Sequence, residues 1–309
     1  METRQVLLVD AFATEPLSGV PVAVVPGEEW TDSQLRALAG EFGTCGAVGP
    51  DSDRLRYVER EGFRAPASAA VAGCTGLLER GLIEAGAYTL AVERPAETTA
   101  LDVSVETDRE TTVAFPTQQV EDVAVSTDEI ATALGIDEDA LAEVSTDLQP
   151  GRTDGFGGTL FVPVDFLQHL GSVSPDSGAL ASLFEETGTC RVFAFTFDTL
   201  EAETDVHARI FTGRERSTAG STGGTQFTAV SERPASGIAS AGCGAYLSGH
   251  AAFDPDRERI RVESGHFLDR PATLSVTLAD SPLISGRALV VLDGRVAVPE
   301  EDDDEIIEV

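Results

Sequence analysis

Two segments of this chain, PASAAVAGCTGLL from Pro66 and PASGIASAGCGAYL from Pro234, match each other with a single one-residue gap. Both are built from small, apolar residues, and the first carries no charge over more than three helical turns. A helix of that composition has no polar face to offer water, so it must be enclosed on every side. Each segment also sits inside a series of strand-forming runs. Val20 to Val25, Leu55 to Val58 and Tyr88 to Val92 surround the first, and His207 to Phe211, Arg259 to Val262 and Leu274 to Leu278 surround the second. The expected fold is therefore α+β, with two pseudo-symmetric lobes, each a β-sheet or barrel wrapped around one central buried helix. A proline opens both segments and is expected at the first helical position of each. The N–H groups of both first turns then suit a carboxylate ligand.

The remaining elements follow from local signals. Val6 to Val9 is a strand, and Thr31-Asp32-Ser33 offers N-cap residues for the helix SQLRALAGEF. Strands are expected at Leu101 to Val105, Thr111 to Phe115, Gly158 to Val164, Arg191 to Phe197 and Arg287 to Leu292. Helices are expected at Thr127 to Leu134, Glu138 to Val144 and Ser177 to Thr187. Residues 212–228, rich in Gly, Ser and Thr, read as an exposed loop insert. The expected organisation is an N-terminal lobe over 1–117 and a C-terminal lobe over 118–282. Closing strands near 283–298 are expected to pack back on the first lobe, and the acidic tail 299–309 to be disordered.

Charge narrows the function. The chain has 53 acidic residues against 21 basic ones, all arginine, for a formal net charge of -32. Such a surface repels phosphate backbones and anionic headgroups, which argues against nucleic-acid and membrane partners. The acids are spread along the whole chain. They suit a solvated surface made for high salt, or else a functional acidic patch. The four cysteines, at 45, 74, 190 and 243, have no CxxC spacing and no nearby histidine, so neither a zinc site nor a disulfide framework is expected. No apolar run approaches the ~20 residues that span a bilayer, and METRQVLLVDAF lacks the pattern of a signal peptide, so a cytoplasmic protein is expected.

Several motifs carry a family resemblance. VDAF at 9–12 and SGVPVAVV at 18–25 resemble V-D-A-F and G-N-P-A-A-V-V of the phenazine-biosynthesis PhzF-like isomerases, which share the diaminopimelate-epimerase fold. ERPASGIASAGCGAYL at 232–247 resembles that family's E-D-P-x-T-G-S-A-x-G-x-x-G-A-Y-L, and ESGHFLDRP at 263–271 its Q-G-x-x-M-G-R-P. ALVVLDGRV at 288–296 resembles the closing strand-turn-strand. With the acidic composition, the chain looks like a diverged, haloarchaeal-type member. The resemblance implies a cleft between two lobes, and proton transfer beside the carboxylate of a small metabolite without metal or cofactor. It also implies a homodimer.

The resemblance does not carry the family's acid and base residues across. The glutamate position of S-E-T falls on Gly46, or on Cys45 with a one-residue slip, and C-G-H-A-T falls around Ala67, Ser68 and Ala69. No histidine can stand there, since the first in the chain is His169, and the aspartate of E-D-P is Arg233. Cys45, with a thiol pKa lowered by Arg233 across the cleft, and His266 are the candidate catalytic residues. Arg233, Ser236, Gly237 and Arg270 are the candidates for substrate binding, Ser236 and Gly237 through a backbone anion nest. Cys74 and Cys243 lie roughly 12 Å down their helices and read as core. Two readings stay open: an isomerase or epimerase with rearranged acid/base groups, or a silent relative that binds a small anion or serves as a partner subunit.

Overall fold

The computed structural model describes residues 2–298 apart from 28–29, 53, 61–62, 94–97, 143–147, 217–225 and 280. The first half of the chain forms β1 (Glu2–Ala11), β2 (Val20–Val24), α1 (Asp32–Glu41), β3 (Gly46–Asp51), β4 (Arg54–Glu59), α2 (Pro66–Glu79), β5 (Gly86–Glu93), β6 (Thr98–Val105) and β7 (Thr111–Ala114). The second begins with β8 (Val120–Asp122), α3 (Thr127–Leu134), α4 (Asp139–Ala142), β9 (Gly151–Thr153), β10 (Thr159–Pro163), α5 (Leu167–Ser172), α6 (Ser177–Thr187) and β11 (Arg191–Thr196). It continues with β12 (Val206–Arg216), β13 (Gln226–Arg233), α7 (Gly237–Gly249), β14 (Arg259–Ser264) and β15 (Ala272–Thr277). The chain then closes with β16 (Leu283–Gly286) and β17 (Ala288–Val298).

The two small-residue segments are the hubs of the fold. Every residue of α2 from Pro66 to Leu77 is buried, and the helix is enclosed by β1, β2, β3, β7 and β17. Helix α7 is enclosed in the same way by β8, β10, β15 and β16. The sheets of the two halves are continuous: β17 pairs with β1, and β7 pairs antiparallel with β16, which pairs in turn with β15. The α+β architecture of two lobes, each around its own buried helix, is thus present.

The helices touch where they begin. A Cβ added at Gly237 would stand 2.4 Å from Ala67 Cβ, so only glycine lets the first turn of α7 rest on the first turn of α2. The pyrrolidine of Pro66 starts α2, whose N-cap, Ala65, makes no side-chain cap. Helix α7 starts differently from expectation. Pro234 lies before the helix, and Ser236 is the N-cap, its hydroxyl accepting from the N–H of Ala239 at 3.3 Å.

Helices α3 and α6 cover the outer face of the second half. Ile130, Leu134, Leu180 and Phe184 pack on Leu160, Val162, Val192 and Phe211, while Phe161, Phe193 and Phe195 turn inward to the central core. Burial on both faces explains why β10 and β11 read as unbroken apolar runs. Residues 212–228 differ from the expected loop: β12 runs on to Arg216 and pairs with β13 from Gln226, so the described parts are a hairpin. The tail at 299–309 and the end of the expected 138–144 helix lie outside the described residues. Among the described residues, no helix is long and apolar enough to cross a membrane.

Candidate active site

Where the N-termini of α2 and α7 meet, the two halves enclose a cavity of about 60 Å³. Its polar side chains are Cys45, Arg64, Arg191, Thr212, Arg233 and Ser236; the rest of its wall is apolar residues and glycine. Three arginines therefore line one small space in a chain of net charge -32. Arg233 ends β13 and stacks its guanidinium 3.9 Å over the Phe63 ring. Among the described residues it has no carboxylate or hydrogen-bond partner. Burial lowers its pKa, partly offset by Cys45 and Tyr57, which favour the cation. A bound anion would supply the missing partner.

Cys45 lies just before β3, beside this arginine. Burial pushes its thiol pKa up, with Glu59 adding to the rise, and the opposing pull of Tyr57 and Arg233 is too weak to reverse it. The expected activation by Arg233 is thus overridden by desolvation. The thiol also donates toward the Pro21 carbonyl at 3.9 Å, a contact that favours the protonated form. Its backbone is fixed by Tyr57, whose hydroxyl donates to the Cys45 carbonyl at 3.2 Å.

Tyr57 also accounts for the glycine next to it. A Cβ at Gly46 would meet Tyr57 Cε2 at 2.4 Å and the Val58 carbonyl oxygen at 2.6 Å. The ring fills the space that a side chain at this position would need. No carboxylate or histidine lines the cavity among its described residues.

The other candidates are placed unequally. Ser236 reaches the cavity wall as the N-cap of α7, while Gly237 sits one residue further in, against Ala67. Arg270 does not line the cavity. Its guanidinium donates to Asp10 Oδ1 at 2.8 Å and to the carbonyls of Ser18 and Gly19 at 2.7 and 2.8 Å, joining β14–β15 to the loop after β1. Nor does His266 line it. Its ring stands 5.0 Å from that of His207, whose Nδ1 meets Glu263 Oε1 at 2.7 Å. Glu232, beside Arg233, grips Arg209 with both oxygens, at 2.8 and 2.7 Å. Cys74 and Cys243 are buried in the core with raised pKa values, Cys74 to about 12. Among the described residues, no cluster of three His, Cys, Asp or Glu side chains could hold a metal ion.

Arg64 and Arg191 were not singled out by sequence. They come from distant segments, one just before α2 and the other at the start of β11, and no motif links them.

Two lobes wound on buried helices, with a cavity at the helix mouths, define an epimerase-like fold. The phenazine biosynthesis-like protein model (PhzC-PhzF) matches residues 9–294, and the chain belongs to that family. It is 22% identical over 308 residues to the uncharacterized isomerase YfhB of Bacillus subtilis (strain 168), covering 97% of this chain and 98% of that one. The fold is also that of a PhzF-family phenazine biosynthesis protein from Bacillus anthracis. That match has a TM-score of 0.75 and 22% identity over 96% of this chain and 100% of the other. A predicted epimerase from Pseudomonas aeruginosa superposes with a TM-score of 0.65 and 17% identity, covering 95% of this chain and 99% of its own.

Proposed function

We propose that this chain is an isomerase-family protein that binds a small carboxylate metabolite in the arginine-lined cavity. It would move a proton at the neighbouring carbon, with Cys45 as the carrier. The observation that carries the proposal is the unpartnered Arg233 guanidinium at the cavity wall beside Cys45. A carboxylate held by Arg233 and the first turn of α7 loses much of its negative charge, and the carbon next to it becomes more acidic. The proton would pass to the Cys45 thiolate and return to the same carbon, or to the far end of an allylic system. Isomerisation of that kind consumes no cofactor. The homodimer and the salt-adapted acidic surface belong to the same proposal.

Two measurements test its parts. Replacing Arg233 by Asp turns an attracting wall into a repelling one. Binding of small carboxylates, followed by calorimetry, is expected to fall at least about a hundredfold, the effect of losing a charge-assisted contact and adding repulsion. Unchanged affinity would place the anion elsewhere. The second measurement is the pH profile. Because the Cys45 pKa is raised above its usual 9.0, the thiolate fraction at neutral pH is small and grows with pH. Exchange should climb tenfold per pH unit through pH 9 without a plateau. A plateau near neutrality would assign the proton to another group.

Two observations favour a second reading, an anion-binding relative without turnover. Desolvation raises the Cys45 thiol pKa, and Tyr57 leaves no room for a side chain at position 46.

A further inference from the structure

Arg233 and Cys45 belong to different halves of the molecule, and one aromatic ring ties their positions together. Arg233, at the end of β13, holds its guanidinium 3.9 Å over Phe63, which lies between β4 and α2 and lines the same cavity. Arg60 lies over that ring as well, at 4.5 Å. The N–H of Phe63 donates to the Arg60 carbonyl, and the N–H of Arg60 donates to the Cys45 carbonyl, both at 3.0 Å. Arg60 Nη1 donates to the Thr44 carbonyl at 3.4 Å. Contacts therefore run without a break from Thr44 and Cys45, through Arg60 and Phe63, to Arg233.

Resting on the anion-binding reading above, we infer that Phe63 is a positioning residue. Its ring holds the Arg233 guanidinium at a set place relative to Cys45, so that a carboxylate bound by Arg233 presents its neighbouring carbon to the thiol. Neither Arg60 nor Arg233 has a carboxylate partner among the described residues, so nothing but the ring competes for the Arg233 charge. A guanidinium laid on a ring face keeps its N–H groups, which lie in its own plane, available to an anion. Arg60 sharpens the effect, since its charge opposes that of Arg233 and an incoming anion relieves the repulsion. Without the ring, the long Arg233 side chain would have to be immobilised by the ligand itself, at a cost in affinity.

Calorimetry on the full chain at fixed molar KCl, with acetate and propionate as probes, tests this. Phe63→Leu fills much of the space but has no π face, and is expected to weaken both acids about tenfold. Phe63→Tyr should restore most of that loss, because the face returns. A ring-trifluorinated phenylalanine at position 63 keeps the shape but strips the negative charge from the face, and should weaken binding about threefold or more. That variant decides the matter if Phe63→Leu fails to fold. Wild-type affinity in Phe63→Leu or in the fluorinated protein overturns the inference while leaving the anion site standing, and so does a Phe63→Tyr protein as weak as Phe63→Leu. A wild type that binds neither acid removes the anion site and the inference together.

Discussion

Gly46→Glu, which would put a carboxylate at the position where the family resemblance calls for one, is expected to destabilise the fold and not to raise activity. The first atom of any side chain there would lie 2.4 Å from Tyr57 Cε2 and 2.6 Å from the Val58 carbonyl oxygen. Tyr57 is itself fully buried and hydrogen-bonded to Cys45, so it cannot swing away cheaply. Gly46→Ala alone should cost about 1–3 kcal/mol through overpacking, and the glutamate more, because a buried carboxylate is added to the overlap. Urea unfolding in molar KCl reads the difference directly. A Gly46→Ala/Tyr57→Ala double variant should recover only part of the overlap cost, since the ring atoms in conflict are gone while the Val58 carbonyl remains. A Gly46→Glu protein with the wild-type midpoint would mean that the Tyr57 ring does not occupy that space.

The second large effect lies outside the cavity, at Glu263. This carboxylate is fully buried and receives the backbone N–H of Leu200 at 2.6 Å and of Glu201 at 3.0 Å, the Thr204 hydroxyl at 2.8 Å and His207 Nδ1 at 2.7 Å. It fastens the 197–204 loop onto β14. Burial alone would raise its pKa. His207, Leu200, Thr204 and Glu201 together outweigh that and hold the value at about 2, below the usual 4.5. A folded-state pKa below the unfolded one means that the ionised carboxylate stabilises the fold above pH 4.5. That contribution is lost as pH falls toward 2. Glu263→Ala strands the donors around it and should cost about 3–5 kcal/mol. Glu263→Gln keeps the shape without the charge, so it should cost less and flatten the acid limb of stability between pH 4.5 and 2. An acid limb unchanged in Glu263→Gln would assign acid unfolding to other carboxylates.

Much of the fold was legible because local signals and burial agreed. Thr31 caps α1 with a full capping box, and α3 and α6 begin and end where their spacing and caps place them. The paired Ala/Gly/Ser segments could be nothing but enclosed helices, and both are. Strand β3 was missed because GAVGPD has little strand propensity. It is held by parallel pairing to β2 and antiparallel pairing to β4, which only the folded chain reveals. The hairpin of β12 and β13 was obscured by its Gly and Thr content in the same way.

The site was less legible than the fold. Cys45, Arg233 and Ser236 could be located because the resemblance to a family points to the helix mouths, and all three line the cavity. Arg270 and His266 belong to a motif that approaches the cleft in sequence terms. In the fold, Arg270 is occupied by Asp10 and His266 lies beside His207. The cationic wall of Arg64 and Arg191 has no sequence signature, because it depends on β11 lying next to the loop that enters α2.

The measurement that tests proton transfer most directly is solvent deuterium exchange followed by NMR, in molar KCl and D₂O. Small amino, hydroxy and dihydroaromatic acids would be offered to the wild type and to Cys45→Ser. The expected result is deuterium at the carbon beside the carboxylate, or along an allylic system, of an acid that binds. The rate should rise with pH and be lost in Cys45→Ser. An acid that binds at the arginine wall yet exchanges nothing at any pH, or exchange that persists undiminished in Cys45→Ser, would contradict it.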